Sequence, residues 1–158
     1  MSNVTPKLII VCGLPGSGKT TLAKNLEIKM NAIRFCPDEW MGELSIDLYD
    51  ETRRGKIETL QWQLIQQLLA RGLIAIIEWG TWGRAERDML RLKARELGAK
   101  VELYFLSAPL EILFDRIKRR GMENPPIREE DITRWLDVLE APTSDEMALY
   151  DYATTITS

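Results

Sequence analysis

Residues 13–20, Gly-Leu-Pro-Gly-Ser-Gly-Lys-Thr, constrain the fold of this chain more than any other segment. They match the pattern G-x-x-x-x-G-K-[ST] at every fixed position, after an apolar run at 8–12 and before a helical segment, Lys19–Met30. Such glycines let the backbone turn tightly and bring its N–H groups close to a polyphosphate at the positive end of the helix. The segment therefore predicts a strand, a phosphate-binding loop and a helix that together bind a nucleoside triphosphate.

The chemistry of the motif assigns roles to its residues. Lys19 is expected to reach the β- and γ-phosphates, and the Thr20 hydroxyl to bind Mg²⁺. ATP with Mg²⁺ is the predicted cofactor, because the Asn-Lys-x-Asp pattern of guanine-specific proteins does not occur in the sequence. The predicted nucleotide-binding residues of the loop and helix start are Gly13, Leu14, Pro15, Gly16, Ser17, Gly18, Lys19, Thr20 and Thr21.

Strand-like apolar runs alternate with helical segments along the chain. The runs lie at 8–12, 32–36, 73–77, 100–106 and 150–156, and the helical segments at Lys19–Met30, 51–71, 84–97, 109–120 and 129–140. This alternation predicts one α/β domain over residues 1–158, a three-layer P-loop NTPase with a parallel sheet of about five strands and helices on both faces. Ligands of such sheets bind beyond the carboxyl ends of the strands, so the residues after each strand are the candidates for chemistry.

The composition excludes several kinds of site. The chain has 158 residues and no histidine, so serine–histidine triads and histidine metal sites are excluded, and acid–base chemistry falls to carboxylates. The net charge of −3 gives no overall attraction to nucleic acid or to anionic membranes. The two cysteines indicate neither a disulfide framework nor a zinc site. No apolar run is long enough to span a bilayer and no secretory leader is recognisable, so we expect a cytoplasmic protein without a membrane partner.

Asp38 follows the second predicted strand, in the segment Cys36-Pro37-Asp38. A carboxylate at this edge of the sheet is suited to accept the proton of a hydroxyl that attacks the γ-phosphate. We therefore assign Asp38 as the general base and as a contact of the acceptor. The alternative is that Asp38 only caps the next helix. Glu39 is a weaker candidate for the same catalytic role.

Glu78 ends the apolar run of the third strand and is expected near the phosphate loop. Three roles are open to it: ordering waters on Mg²⁺, binding a substrate hydroxyl, or forming an ion pair with a neighbouring lysine or arginine. Trp79 and Trp82 follow, and they form either one wall of an acceptor pocket or part of the ordinary core.

A cluster of arginines ends the late helix and precedes a proline-containing loop at 123–127. The segment at about 116–128 is expected to form a lid that closes over the triphosphate and offsets charge on the transferring group. Arg116 and Arg120 are assigned catalytic roles, and Arg116 and Arg119 are assigned nucleotide contacts. The alternative is a solvated basic face at a helix C-terminus, where cations are favoured.

A basic stripe runs along the segment 84–97, with arginines at spacings of three and four: Arg84, Arg87, Arg91 and Arg95. The stripe either guides a nucleic-acid backbone or is the solvated side of a helix, partnered by nearby carboxylates. Arg84 and Arg87 lie closest to the active edge of the sheet and are also candidates to bind an anionic substrate.

The chain resembles the small P-loop kinases of the zeta-toxin, chloramphenicol phosphotransferase and polynucleotide 5′-kinase group, which are AAA-type ATP-binding proteins. The resemblance rests on residues 13–20, Asp38, the Glu78 segment and the arginines at 116–120. The resemblance implies a kinase-like fold, a general base at Asp38 and lid arginines on the phosphates. The sequence departs from the group at two points. Residues 40–42 lack the arginine with which polynucleotide kinases hold a nucleic-acid phosphate, and Glu78 stands where the group usually has aspartate.

The leading interpretation is a phosphotransferase that moves the γ-phosphoryl of Mg·ATP to a hydroxyl of a small molecule of the antibiotic, sugar or nucleoside type. A polynucleotide 5′-hydroxyl kinase is the first alternative, favoured by the arginine stripe and opposed by the overall acidity of the chain. A nucleotide-binding switch or partner module without catalytic activity is the second alternative. The two hypotheses differ for Asp38→Asn: a switch is expected to keep its function, whereas a kinase is expected to lose turnover.

Overall fold

Five parallel strands form the centre of the protein, whose computed structural model describes residues 5–158. The strands are β1 (Lys7–Cys12), β2 (Ile33–Phe35), β3 (Ile74–Gly80), β4 (Lys100–Ser107) and β5 (Tyr152–Thr157). Their order across the sheet is β2-β3-β1-β4-β5, and every neighbouring pair is parallel. The parallel sheet expected from the alternation of strands and helices is therefore confirmed.

Helices cover both faces of this sheet and complete the three-layer α/β fold. They are α1 (Lys19–Met30), α2 (Pro37–Glu43), α3 (Glu51–Ala70), α4 (Arg84–Glu96), α5 (Leu110–Arg120), α6 (Glu129–Val138) and α7 (Ser144–Met147). Leu8 and Ile10 of β1 share a core with α3 and α4, while Ile9 and Val11 pack with α1. A strand buried on both faces needs an unbroken apolar run, and β1 has one. Within residues 5–158, no helix has the length and apolar character that crossing a bilayer requires.

A third apolar cluster joins α5 and α6 to the phosphate loop. Leu14 of the loop packs with Leu113 and Ile117 of α5 and with Ile132 of α6. These four side chains are all at most 2% exposed. The base of the lid segment is therefore fixed against the loop that it is expected to cover.

The structure differs from the sequence-based expectation in β3 and in two short helices. β3 continues to Gly80, past the end of the apolar run at residue 77, because its pairing with β1 extends to Gly80 opposite Cys12. The charge of Glu78 within this strand is paired with Arg34 of β2. The helices α2 and α7 have seven and four residues. Segments this short hold too few turns to show a helical period.

Candidate nucleotide and acceptor site

The carboxyl ends of β1, β2 and β3 open into one cleft of about 850 Å³, bounded by α1, α2, α3 and the segment after α5. Most of the site residues predicted from the sequence line it: Pro15, Gly16, Gly18, Lys19, Thr20, Thr21, Asp38, Glu78, Trp79, Trp82, Arg116 and Arg120. Three residues of the loop are buried behind it: Gly13, Leu14 and Ser17. Two predicted residues, Arg84 and Arg119, do not line the cleft.

The phosphate loop has the backbone conformation that its glycines predict. Gly16 has φ of +82°, and a Cβ at this position would lie 2.8 Å from the Leu113 carbonyl oxygen of α5. Gly18 is the N-cap of α1 in the left-handed region, with φ of 100°. Glycine is required at both positions, because other residues rarely adopt these angles. The loop thereby brings the N-terminus of α1 to the cleft, where backbone N–H groups and the helix dipole favour an anion.

Lys19 is held against the loop by two backbone oxygens. Its Nζ donates to the carbonyl oxygens of Gly13 at 2.9 Å and Leu14 at 3.1 Å. Burial lowers the pKa of Lys19 from its ordinary value, and the negative charges of Glu78 and Asp38 oppose part of that decrease. A phosphate in the cleft would supply a direct anionic partner for this desolvated ammonium group.

Glu78 connects the loop to β2. The Thr20 hydroxyl donates to one carboxylate oxygen of Glu78, and Nη1 of Arg34 donates to the other at 2.8 Å. Arg34 also pairs with Glu39 at 2.8 Å. Glu78 therefore forms the ion pair that was one of its three expected roles, and it does so beside the predicted Mg²⁺ ligand. Sequence analysis missed Arg34; the parallel register of β2 with β3 is what brings Arg34 next to this carboxylate.

The hydroxyl of Thr20 and the carboxylate of Glu78 fit a magnesium ion. Mg²⁺ takes oxygen ligands and is usually held by one or two protein oxygens together with substrate phosphates. A hydrogen-bonded hydroxyl and carboxylate at the start of α1 offer such oxygens next to the expected position of the phosphates. The donor set therefore suits Mg²⁺ bound with a nucleotide.

Asp38 lies in the first turn of α2, where Cys36 is the N-cap. The alternative that Asp38 caps this helix is therefore wrong. Its side chain is 44% exposed, and Oδ1 lies 2.6 Å from Nη1 of Arg54 in α3. Arg54 also donates to the Leu48 carbonyl oxygen at 3.1 Å, which fixes the guanidinium group in the cleft wall. Sequence analysis missed Arg54.

Both tryptophans line the cleft and are also packed against the protein. Trp79 donates from Nε1 to Oε1 of Gln61 at 2.8 Å and meets Trp62 edge to face, with ring centroids 6.4 Å apart. Trp82 donates from Nε1 to the Gly13 carbonyl oxygen at 3.3 Å and packs on Trp135 of α6. Both tryptophans therefore pack within the protein and also line the cleft, while their contact with an acceptor stays a prediction.

The lid arginines occupy different environments. Nη1 of Arg116 donates to the Gly16 carbonyl oxygen at 3.1 Å, so α5 already touches the phosphate loop. Arg120 pairs with Glu123 at 2.7 Å, and both residues line the cleft. Arg119 is 79% exposed and pairs with Asp115 away from the cleft. Two of the three arginines are thus within the site, and Arg119 is outside it.

The arginine stripe of α4 is not a continuous solvated basic face, because its two central members are buried. Arg87 is 0% exposed and donates to both carboxylate oxygens of Glu146 in α7, at 2.7 and 2.8 Å. Arg91 is 7% exposed and pairs with Asp88. Arg84 is held by Asp88 and does not reach the cleft as a substrate contact. The expectation of a solvated face was wrong because α7 buries this face of α4, and α7 is too short to show a helical period in the sequence.

Two glutamates that sequence analysis did not single out also line the cleft, Glu58 of α3 and Glu86 of α4. Burial raises the pKa of Glu58 to about 7, and the neighbouring negative charge of Glu86 adds to the increase. Burial also raises the pKa of Glu86. Arg54 and Glu58 stand four residues apart on α3, and this spacing is the signal that places Glu58 on the face of Arg54.

Comparison with known proteins gives a family and a fold. Residues 8–142 match the family model described as AAA domain, and no curated protein matches the sequence. A gluconokinase from Sinorhizobium meliloti 1021 is 19% identical, with a TM-score of 0.63 over 98% of this chain and 84% of that one. The Mycobacterium tuberculosis APS kinase CysC, in complex with AMPPNP and APS, is 17% identical, with a TM-score of 0.64 over 96% and 89%. A structure of the PezAT toxin–antitoxin system of Streptococcus pneumoniae is 16% identical, with a TM-score of 0.72 over 99% and 70%.

Proposed function

This chain belongs to the AAA domain family, and we propose that it is an ATP-dependent phosphotransferase that moves the γ-phosphoryl of Mg·ATP to a hydroxyl of a small molecule. The acceptor is of the antibiotic, sugar or nucleoside type. The observation that carries the proposal is that one cleft contains the phosphate loop with Lys19 and the carboxylate of Asp38. Structures with this fold are named for kinases, and one of them is described in complex with AMPPNP.

The donor side holds the triphosphate. Backbone N–H groups at residues 13–20, Lys19 and the start of α1 bind the β- and γ-phosphates. Thr20 and Glu78 would hold Mg²⁺, which when bound neutralises charge on the phosphate oxygens. Arg116, which donates to the Gly16 carbonyl oxygen of the loop, would contact the γ-phosphoryl, and Arg120 lines the same cleft.

The acceptor side accounts for the proton. The acceptor hydroxyl oxygen forms a new bond to the γ-phosphorus while the bond from that phosphorus to the β,γ-bridging oxygen breaks. The hydroxyl proton passes to the carboxylate of Asp38, and ADP leaves with the bridging oxygen. Arg54, 2.6 Å from Asp38, is a positioning residue that orients this carboxylate in the cleft.

Neither alternative function has the same support. A polynucleotide kinase was favoured by the arginine stripe of α4, but Arg87 and Arg91 are buried by contacts within the protein. A nucleotide-binding switch needs the phosphate loop alone, whereas here a carboxylate paired with an arginine lines the same cleft as the loop.

The test is an incubation of the protein with Mg·ATP and a mixture of metabolites, antibiotics and oligonucleotides, followed by mass spectrometry. The proposal expects one small hydroxyl compound to gain the mass of a phosphoryl group. A phosphorylated oligonucleotide would establish the polynucleotide kinase instead. ATP binding without any phosphorylated product would favour the switch.

A further inference from the structure

Two carboxylates line the cleft, and within residues 5–158 neither of them forms a salt bridge. Glu58 enters from α3 and Glu86 from α4. The nearest arginines in sequence have other partners, since Arg54 is paired with Asp38 and Arg87 with Glu146. Two like charges thus lie in one partly buried cleft, an arrangement that a further positive charge would stabilise.

The electrostatic environment of the pair agrees with this view. Burial is the main cause that raises the pKa of both carboxylates, and the charge of Glu86 raises the pKa of Glu58 further. The positive charges of Arg54 and Arg87 oppose only part of these increases, at Glu58 and Glu86 respectively. Strongly perturbed titratable groups in a cleft are a signature of a binding site. A bound cation would offset both the desolvation and the mutual repulsion.

An aromatic ring lies on the same wall. Trp79 lines the cleft, and its orientation is fixed by the hydrogen bond to Gln61 and by the edge-to-face contact with Trp62. Gln61 follows Glu58 by one turn of α3, so the residue that holds the ring lies one helical turn from the carboxylate. A fixed indole beside a carboxylate is suited to an ammonium group, which is attracted to both.

We propose that the acceptor is a hydroxyl compound that carries a positively charged amine, such as an amino sugar, an aminocyclitol or an amino alcohol, and that its ammonium group binds between Glu58 and Glu86. This inference rests on the function proposed above. The amine stays protonated as the binding group, and the hydroxyl is the group that attacks phosphorus and gives its proton to Asp38.

The spacing along α3 sets the size of the acceptor. Arg54 touches Asp38, and Glu58 lies four residues further along the same helix face, about 6 Å along the axis. An amine and a hydroxyl separated by roughly one sugar ring would therefore reach both carboxylates at once. An anionic acceptor would instead meet the repulsion of Asp38, Glu58 and Glu86.

The test compares pools of hydroxyl compounds that differ in charge. Amino sugars, aminocyclitols and amino alcohols form the first pool, their N-acetylated neutral derivatives the second, and sugar acids the third. Each pool is incubated with Mg·ATP, and phosphorylated products are identified by mass. We expect products in the amine pool, with kcat/KM at least about tenfold higher than for the N-acetylated form of the same compound.

Variants locate the effect. Glu58→Gln and Glu86→Gln should each raise KM for the accepted amine about tenfold while leaving the affinity for ATP unchanged. Glu96→Gln, which removes the same charge from the exposed end of α4, should leave both constants unchanged. Products confined to the neutral or acidic pools would overturn the inference and leave the proposed function standing. No product in any pool, with ATP binding intact, would overturn both.

Discussion

The two halves of the cleft are built in different ways. The donor half is built mainly on one continuous stretch, residues 13–21, whose backbone groups at the start of one helix are proposed to bind the phosphates. The acceptor half takes single side chains from separate elements: Asp38 from α2, Arg54 from α3, Glu86 from α4 and Trp79 from β3. A ligand held by backbone is specified by local sequence, whereas a ligand held by side chains depends on how distant elements pack.

The largest expected effect comes from a substitution that impairs only the acceptor half. Asp38→Asn should lower the rate of phosphoryl transfer by about 10²–10⁴, because the hydroxyl loses its general base. The affinity for a fluorescent ATP analogue should not change. Asp137→Asn, an exposed substitution in α6, is the control and should match the wild type. A transfer rate near the wild-type value in Asp38→Asn would remove Asp38 from the mechanism.

The next substitution breaks the donor half. Lys19→Ala should reduce transfer by about 10²–10³ and weaken ATP binding as well, since the ammonium group stabilises the β- and γ-phosphates. Isothermal titration with Mg·ATP measures the binding. Lys29→Ala, in the last turn of the same helix, provides the control. Equal ATP affinity in Lys19→Ala and Lys29→Ala would contradict the assignment of the loop.

Substitutions of the lid arginines test which of them belongs to the donor half. Arg116→Ala should lower transfer by about 10–100-fold through loss of a charged hydrogen bond to the phosphates. Arg119→Ala is a matched control one turn further along α5, because the Arg119 side chain is exposed and paired with Asp115. Steady-state rates at saturating ATP separate the two variants. A larger loss of transfer rate in Arg119→Ala than in Arg116→Ala would contradict the assignment of Arg116 to the phosphates.

The smallest expected effect concerns the stability of the acceptor half. The pKa of Glu58 is about 7 in the folded protein and about 4.5 for the free side chain. The folded state therefore favours the protonated carboxyl, and stability is lost as the pH rises from below 4.5 through about 7. Glu58→Gln mimics the protonated form, so it should raise Tm by about 2–4 °C near pH 8 and leave Tm unchanged in acid. An equal Tm shift at both pH values would show that the carboxylate is not desolvated.

The fold and the donor half were predictable from local patterns. The strand, loop and helix around residues 13–20 follow from the glycine spacing, and the parallel sheet follows from the alternation of elements. Asp38 was found because the carboxyl ends of neighbouring parallel strands share one edge. The same rule located Glu78, whose partner Arg34 lies on the adjacent strand.

Only tertiary contacts bring together the other groups of the acceptor half, Arg54, Glu58 and Glu86, so they could not be predicted. The ion pair of Arg87 shows the same difficulty. Arg87 looked like part of a solvated stripe, but α7 places Glu146 against it and turns it into a buried ion pair. The guanidinium group also donates to the Thr81 carbonyl oxygen at the wall of the cleft. This contact has no sequence signal, because α7 has only four residues and lies far along the chain from Arg87.

The central claim is that the cleft transfers phosphoryl to a hydroxyl and not to water. Phosphorus NMR of the protein with Mg·ATP, recorded with and without the amine pool of hydroxyl compounds, tests it directly. The account predicts a phosphate-ester resonance that forms with ADP only when a hydroxyl acceptor is present. Inorganic phosphate as the only product, formed at the same rate with or without added compounds, would contradict it.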